Sequence, residues 1–112
     1  MTKTREGVLA SGSGTDLQSI IDASEKKMID AEVVLVVCDR CDAFCLKRAE
    51  KHNISSYFVE HKNKKRAEID KEVDRVLKEH SVDLVVGAGY MRILTPEFVK
   101  KWYGKLINIH PA

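Results

Sequence analysis

No stretch of this sequence approaches the roughly 20 consecutive apolar residues that a membrane-spanning helix needs, and its first ten residues lack the apolar core of a secretory signal. Neither a membrane protein nor an exported one is expected. Charge of one sign is also missing. The 19 basic side chains nearly cancel the 17 acidic ones, so no global field points to nucleic acid or to a membrane surface. Three cysteines, an odd number within residues 38–45, do not make a disulfide framework, and a reducing cytoplasm is the expected compartment. There is no internal repeat, low-complexity segment or linker. What is present, 112 residues with 44% hydrophobic and 32% charged side chains, suits a single small domain, residues 1–112, able to bury its own core.

Short apolar runs alternate with longer amphipathic segments. Strands are expected at Gly7–Ala10, Val33–Val37, Ser56–Val59, Leu84–Val86 and Leu106–Ile109, the last ended by Pro111. The unbroken β-branched run at 33–37 has no polar alternation, which indicates burial on both faces, as in a parallel sheet. Between the strands, Leu17, Ile20, Ile21 and Met28 recur at helical spacing. A second helix is expected over 42–52 with Phe44, Leu46 and Ala49 inward, and a third over 64–80 with the stripe Ile69, Val73, Val76 and Leu77. Thr15 and Gln18 fit a capping box. Thr95 with Pro96 marks the start of a short helix running to about Tyr103. The fold class is therefore α/β: an open, mainly parallel, Rossmann-like sheet with right-handed crossovers and helices on both faces. One local conflict stands out. The first strand is normally central in this topology, yet Glu6 and Gly7 suit a central strand poorly, so either the strand begins at Val8 or its start is partly exposed.

Two places carry chemistry. Gly12 and Gly14 lie between the first strand and its helix, where a tight backbone turn and the unpaired N–H groups of a helix start suit a phosphate. An ordinary tight turn with capping fits these residues equally well. A dinucleotide fingerprint fits less well, because Leu17 stands where a third glycine belongs, although Asp39 after the second strand mimics the ribose-binding acid. At the other end of the chain, Asn108 and His110 share one face of the last strand, their backbones ~7 Å apart, with Ile107 and Ile109 facing the core. An amide donor beside an imidazole suits acyl-type transfer, Asn108 stabilising an oxyanion and His110 moving a proton. Taken alone, the pair fits a solvent-facing strand end at least as well.

Three segments together narrow these alternatives. Ser11-Gly12-Ser13-Gly14-Thr15-Asp16-Leu17-Gln18, residues 89–99 (Gly-Tyr-Met-Arg-Ile-Leu-Thr-Pro-Glu-Phe-Val) and Asn108-Ile109-His110-Pro111 resemble glycinamide ribonucleotide formyltransferases in order and spacing. Asp42-Ala43-Phe44 and Arg66 also match that family, and the resemblance covers essentially the whole chain. It implies the formyltransferase fold, N-terminal part, and transfer of a formyl group from the cosubstrate 10-formyltetrahydrofolate to the amine of glycinamide ribonucleotide in purine biosynthesis. By position it implies that Gly14, Thr15 and Asp16 contact the ribonucleotide. Arg66, Met91, Arg92, Ile93, Leu94, Val99 and Asn108 would serve the folate. His110 would be the proton donor, with Asn108 on the formyl oxygen. The family charges its histidine with an aspartate that the resemblance places beyond Ala112. The chain is thus expected to be truncated relative to the family, with little or no activity alone, and to pair either with a second copy through its open last strand or with a missing C-terminal half. The alternatives are a non-catalytic phosphate- or ribonucleotide-binding module and another formyltetrahydrofolate-dependent transferase.

Other residues are set aside. Cys38, Cys41 and Cys45 are spaced like metal ligands, with His52 or His61 as a distant fourth, but they are read as small buried hydrophobes, and no metal is expected. The basic run His61–Arg66 reads as a solvated helix start, not a nucleic-acid platform, because no aromatics interleave it. Trp102 and Tyr103 read as helix-face packing, and His52 and His80 as ordinary residues near helix ends.

Overall fold

The computed structural model describes residues 4–11, 15–26, 30–40, 44–90 and 93–109, the side chains of Thr15, Asp16 and Ile109 excepted. Among the described residues the elements alternate as β1 (Thr4–Ala10), α1 (Thr15–Glu25), β2 (Ala31–Cys38), α2 (Phe44–Lys51), β3 (Ser55–Phe58), α3 (Arg66–Glu79), β4 (Leu84–Ala88), α4 (Pro96–Lys101) and β5 (Leu106–Ile109). The strands form one sheet in the order β3-β2-β1-β4-β5, and each pair is parallel. This is the open parallel α/β sheet that the alternating pattern predicts, with β1 at its centre.

Side chains leave a strand on alternate faces, and β1 serves two cores accordingly. Val8 and Ala10 join Val36 and Val86 beneath Leu17 and Ile21 of α1 and Cys45 and Ala49 of α2. Leu9 faces the other way, into Leu35, Val37 and Val85 packed under Ile69, Val73 and Leu77 of α3 and Phe98 and Trp102 of α4. The apolar stripe of α3 is the one its spacing predicts. The Thr95 cap also holds: its Oγ1 accepts from the Phe98 N–H at 3.2 Å, with Pro96 in the first turn.

The conflict in β1 resolves toward the second expectation: the strand runs back to Thr4 and its start is partly exposed, at Thr4 and Arg5, while Glu6 itself is buried. Arg5 ties this start to the turn before β4. Its N–H donates to Asp83 Oδ2 at 3.0 Å, its guanidinium donates to the carbonyls of His80 and Ser81 at 2.9 and 3.1 Å, and its own carbonyl accepts from the Asp83 N–H at 2.8 Å. Gly7 is there for space: a Cβ would lie 2.6 Å from Leu77 Cδ2 and 3.0 Å from Val82 Cγ2, so the end of α3 packs directly on the strand backbone.

Four further expectations change. Gln18 does not reach back to a cap. Its Nε2 donates to Asp22 Oδ1 at 2.9 Å and its Oε1 accepts from Arg48 of α2 at 3.0 Å, and α1 already includes Thr15. Phe44 is 60% exposed, because Cys45 and Ala49 form the buried face of α2; Lys47 Nζ sits 5.2 Å from the Phe44 ring centre instead. Ile107 is 50% exposed rather than in the core, since α1 and α2 cover β2 and β3 at the opposite side of the sheet. Tyr103 is exposed, while Trp102 is buried with its indole N–H donating to Asp74. Met28 and Pro111 lie outside the described residues.

Glu6 faces the α1 side, in register with Val33 and Leu84, and its Oε1 has no hydrogen-bond partner among the described residues. Burial raises its pKa above the ordinary carboxylate value. A raised folded-state pKa means the protonated form is the one the fold favours; that contribution is intact below the unfolded pKa and is lost as pH rises through the folded value. Glu6→Leu is therefore expected to stabilise the chain at pH 7 by about 1–3 kcal/mol, the usual cost of an unsatisfied buried group. The gain should shrink on approach to pH 4. Thermal melts of both proteins at the two pH values check this, and an equal gain at both would contradict it.

Candidate active site

The sheet order changes direction at β1: the chain first adds β2 and β3 on one side, then crosses to β4 and β5 on the other. In open α/β sheets such a reversal opens a crevice at the carboxyl ends of the two strands beside it. Here those ends align, since Ala10 pairs with both Cys38 and Ala88, and Ala88 in turn with Ile109. The segments leaving β1, β2 and β4, and the last strand itself, therefore meet at one edge. Ser11, Asp39 and Asn108 sit there, with Gly89 just past β4 and Ile93 and Leu94 further along the same connection. Of the remaining expected residues, Gly12, Gly14, Met91, Arg92 and His110 lie outside the described residues, and Thr15 and Asp16 are described in backbone only, as the first two residues of α1.

Two polar contacts shape this edge, and neither was anticipated. The Ser11 hydroxyl donates to Asp39 Oδ1 at 2.6 Å, joining the turn after β1 to the turn after β2. Asp39 is buried and already engaged as an acceptor, so it serves the loop rather than the ribose role its position suggested. On the other side of the crevice, Asp70 of α3 is buried and its Oδ2 accepts from the Thr95 N–H at 2.7 Å. This fixes the chain immediately after Ile93 and Leu94. Leu94 is half-buried against the α3–α4 core, while Ile93 is 69% exposed. Asp74, one turn on, accepts from the Trp102 indole at 2.9 Å and pairs with Lys78 and Lys101 at 3.2 and 3.5 Å. The signal was present in the sequence: aspartates four apart, 70 and 74, run beside the apolar stripe 69–73–76–77, where a carboxylate needs a buried partner.

Asn108 and Leu106 share the α3–α4 face of β5, and Asn108 lies in register with Gly87 of β4. Its side chain is exposed. Val99 of α4 is 41% exposed, and Arg66, the first residue of α3, is also exposed. The edge thus offers apolar surface at Ile93, Leu94 and Val99, an amide at Asn108, and the N-terminus of α1, whose leading N–H groups carry partial positive charge.

The cysteines belong to a different layer. Cys38 and Cys45 are fully buried with their thiols in hydrogen-bond contact, and Cys38 also donates to the Arg40 carbonyl at 3.3 Å. The bond from Cys45 lowers the Cys38 pKa, while the same bond and burial push that of Cys45 far up. Cys41 lies outside the described residues. Among the described residues no three His, Cys, Asp or Glu side chains converge as a metal group would require; His52 is turned to Glu25 at 2.8 Å and His61 is exposed. No helix among them is long and apolar enough to cross a membrane.

A family model described as formyl transferase matches residues 5–112. The chain is 46% identical over 111 residues to the trifunctional purine biosynthetic protein adenosine-3 of Gallus gallus, covering 98% of this chain and 11% of that protein. It is 42% identical over 106 residues to the phosphoribosylglycinamide formyltransferase of Haemophilus influenzae, covering 94% of this chain and 50% of the relative. Among solved structures, glycinamide ribonucleotide transformylase 1 from Symbiobacterium toebii superposes with a TM-score of 0.93 at 35% identity, over 98% of this chain and 52% of the other. The chain spans about half the length of the single-function relatives it matches.

Removing the Asp70 carboxylate should loosen the crevice wall without unfolding the sheet. Asp70→Ala is expected to cost about 1–3 kcal/mol, as for a buried N–H left unpaired, and to speed hydrogen exchange at Thr95 and Phe98 before other amides. Asp70→Asn keeps an acceptor and should restore most of the protection. Uniform acceleration across all strands would show that Asp70 acts on the whole fold instead.

Proposed function

We propose that this chain, which belongs to the formyl transferase family, carries the substrate-binding edge of an enzyme that moves a formyl group from 10-formyltetrahydrofolate to the amine of glycinamide ribonucleotide. The setting would be purine biosynthesis in the cytoplasm. The observation that carries this reading is the convergence, at one edge of the sheet, of the turn after β1, the connection after β4 and Asn108 on β5. These three segments carry the resemblance to glycinamide ribonucleotide formyltransferases read from the sequence.

Gly14, Thr15 and Asp16, at the start of α1, would hold the ribonucleotide phosphate on backbone N–H groups and the helix's partial positive charge. Ser11, clamped to Asp39, would keep that turn in place. The folate would lie against Met91, Arg92, Ile93 and Leu94. The half-buried Leu94 and exposed Ile93 give apolar surface for a flat ring, with Val99 adding contact and Arg66 nearby. The residues that are described fit a ligand with an aromatic body.

The chemistry follows from charge. The substrate amine attacks the formyl carbon, a new C–N bond forms, and negative charge grows on the formyl oxygen. An amide N–H of Asn108 aimed at that oxygen stabilises the charge where it develops. The bond from the formyl carbon to the folate nitrogen then breaks, that nitrogen takes a proton from protonated His110, and the neutral imidazole so formed would accept the proton that the attacking amine loses.

Calorimetry with glycinamide ribonucleotide tests the first half. The chain should bind with measurable heat, and Gly14→Val, which crowds the phosphate loop, should weaken binding by on the order of tenfold or more, the worth of one strong charged hydrogen bond. No heat beyond that of the variant would overturn the substrate assignment. Any formyl transfer by the chain should be lost in His110→Ala, and persistence of full turnover would remove His110 from the mechanism.

A further inference from the structure

Two glycines interrupt the central strands, Gly7 in β1 and Gly87 in β4. A strand glycine is unfavourable for the backbone and leaves nothing to pack. Among the described glycines, positive φ belongs to Gly89 and Gly104, so conformational freedom accounts for neither Gly7 nor Gly87. Gly7 is explained by Leu77 and Val82 of the packed core. Gly87 has no such neighbours. The three atoms nearest to a Cβ built there all belong to Asn108: Oδ1 at 2.7 Å, Cγ at 3.4 Å and Cα at 3.8 Å. The amide nitrogen of Asn108 is farther away than any of them.

We infer that Gly87 is a positioning residue for Asn108: the volume left by its missing side chain receives the amide oxygen and orients the amide N–H2 end for the formyl group. This rests on the reading of Asn108 given above and adds what holds it. An asparagine side chain rotates about two torsions, and a donor that must reorient as charge develops contributes little. Docking one end of the planar amide on the β4 backbone fixes the direction of the other. The register supplies the geometry, because Gly87 and Asn108 are partners in the β4–β5 ladder and their side chains leave the sheet on the same face. The crowding at this site is confined to one movable side chain. Gly87→Ala therefore displaces the Asn108 amide while leaving the sheet folded.

The experiment combines nuclear magnetic resonance with binding of 5-formyltetrahydrofolate, a stable folate probe, using the full chain. In the unmodified protein, the Asn108 side-chain amide resonances, identified by their loss in Asn108→Ala, should give one set of shifts. In Gly87→Ala those resonances should move, with a melting temperature equal to or above the parent's. Folate affinity should fall by about tenfold, the scale of one well-placed hydrogen bond. In an Asn108→Ala background, Gly87→Ala should change affinity by less than about twofold, because the group it displaces is gone. Unchanged Asn108 resonances in Gly87→Ala, or unchanged affinity alongside a clear loss in Asn108→Ala, would overturn the inference while leaving the function of Asn108 intact. A lack of effect of Asn108→Ala on folate affinity would overturn the reading on which it rests, and with it the functional part of the inference, whatever the resonances show.

Discussion

The parallel pairing of β1 with β2 on one side and β4 on the other is the constraint from which the rest of the carboxyl edge follows. With both backbone edges used in ladders and Val8, Leu9 and Ala10 fully buried, the strand has neither a free edge nor a free face, and its end cannot shift without disturbing two sheets of contacts. The helices that follow β1 and β4, α1 and α4, pack on opposite faces around that fixed point, the arrangement in which open α/β sheets hold their ligands. That point is set partly from the opposite end of the molecule. Arg5 clips the start of β1 to residues 80–83, and Gly7 lets the end of α3 rest on the strand. A turn at the amino edge thus steadies the strand whose other end borders the proposed site.

Much of this was legible in the residue pattern for plain physical reasons. Five apolar runs alternating with helical periodicities leave little choice but a parallel sheet with crossovers, and Thr95-Pro96 announces a helix start by local chemistry alone. The expectations that failed depend on what lies across space. Gln18 is drawn from its cap by Arg48 on another helix. Phe44 is as apolar as Cys45, and only the rotation of α2 against the sheet decides which is buried. Ile107 has the alternation of a core residue, yet the helices on its face cover the far side of the sheet. Periodicity identifies a face but not whether another element will cover it. At the site, the convergence of three sequence segments could be anticipated from strand order. The residues that brace them could not, because Asp39 and Asp70 bond to Ser11 and Thr95 across separations of 28 and 25 residues.

Those two aspartates show how the polar groups of the fold are arranged. Each is buried, and each accepts a bond from the connection it steadies. Asp74 extends the same arrangement down α3, gathering an indole N–H and two ammonium groups between α3 and α4. A buried carboxylate with matched donors fixes geometry more than it adds stability, since the desolvation cost offsets much of the attraction. Glu6 is the contrasting case: it lies in the same strand as the fixed point, but toward its amino end and on the α1 face, with one oxygen lacking a partner among the described residues.

The placement of these groups is consistent with where precision is needed. A formyl-transfer site requires an amide and an imidazole held in fixed directions while charge moves between neighbouring atoms. Around the proposed crevice the buried carboxylates are bonded to backbone or hydroxyl groups, and the strand position in register with Asn108 carries glycine. At the amino end of β1, where no chemistry is proposed, an unmatched carboxylate persists, and only overall stability is affected. The distinction is between polar groups that fix a direction and one that merely adds a cost. Of the buried carboxylates, the two that brace the connections after β1 and β4 lie at the end where the strand order reverses, as expected if that edge has been shaped by a ligand.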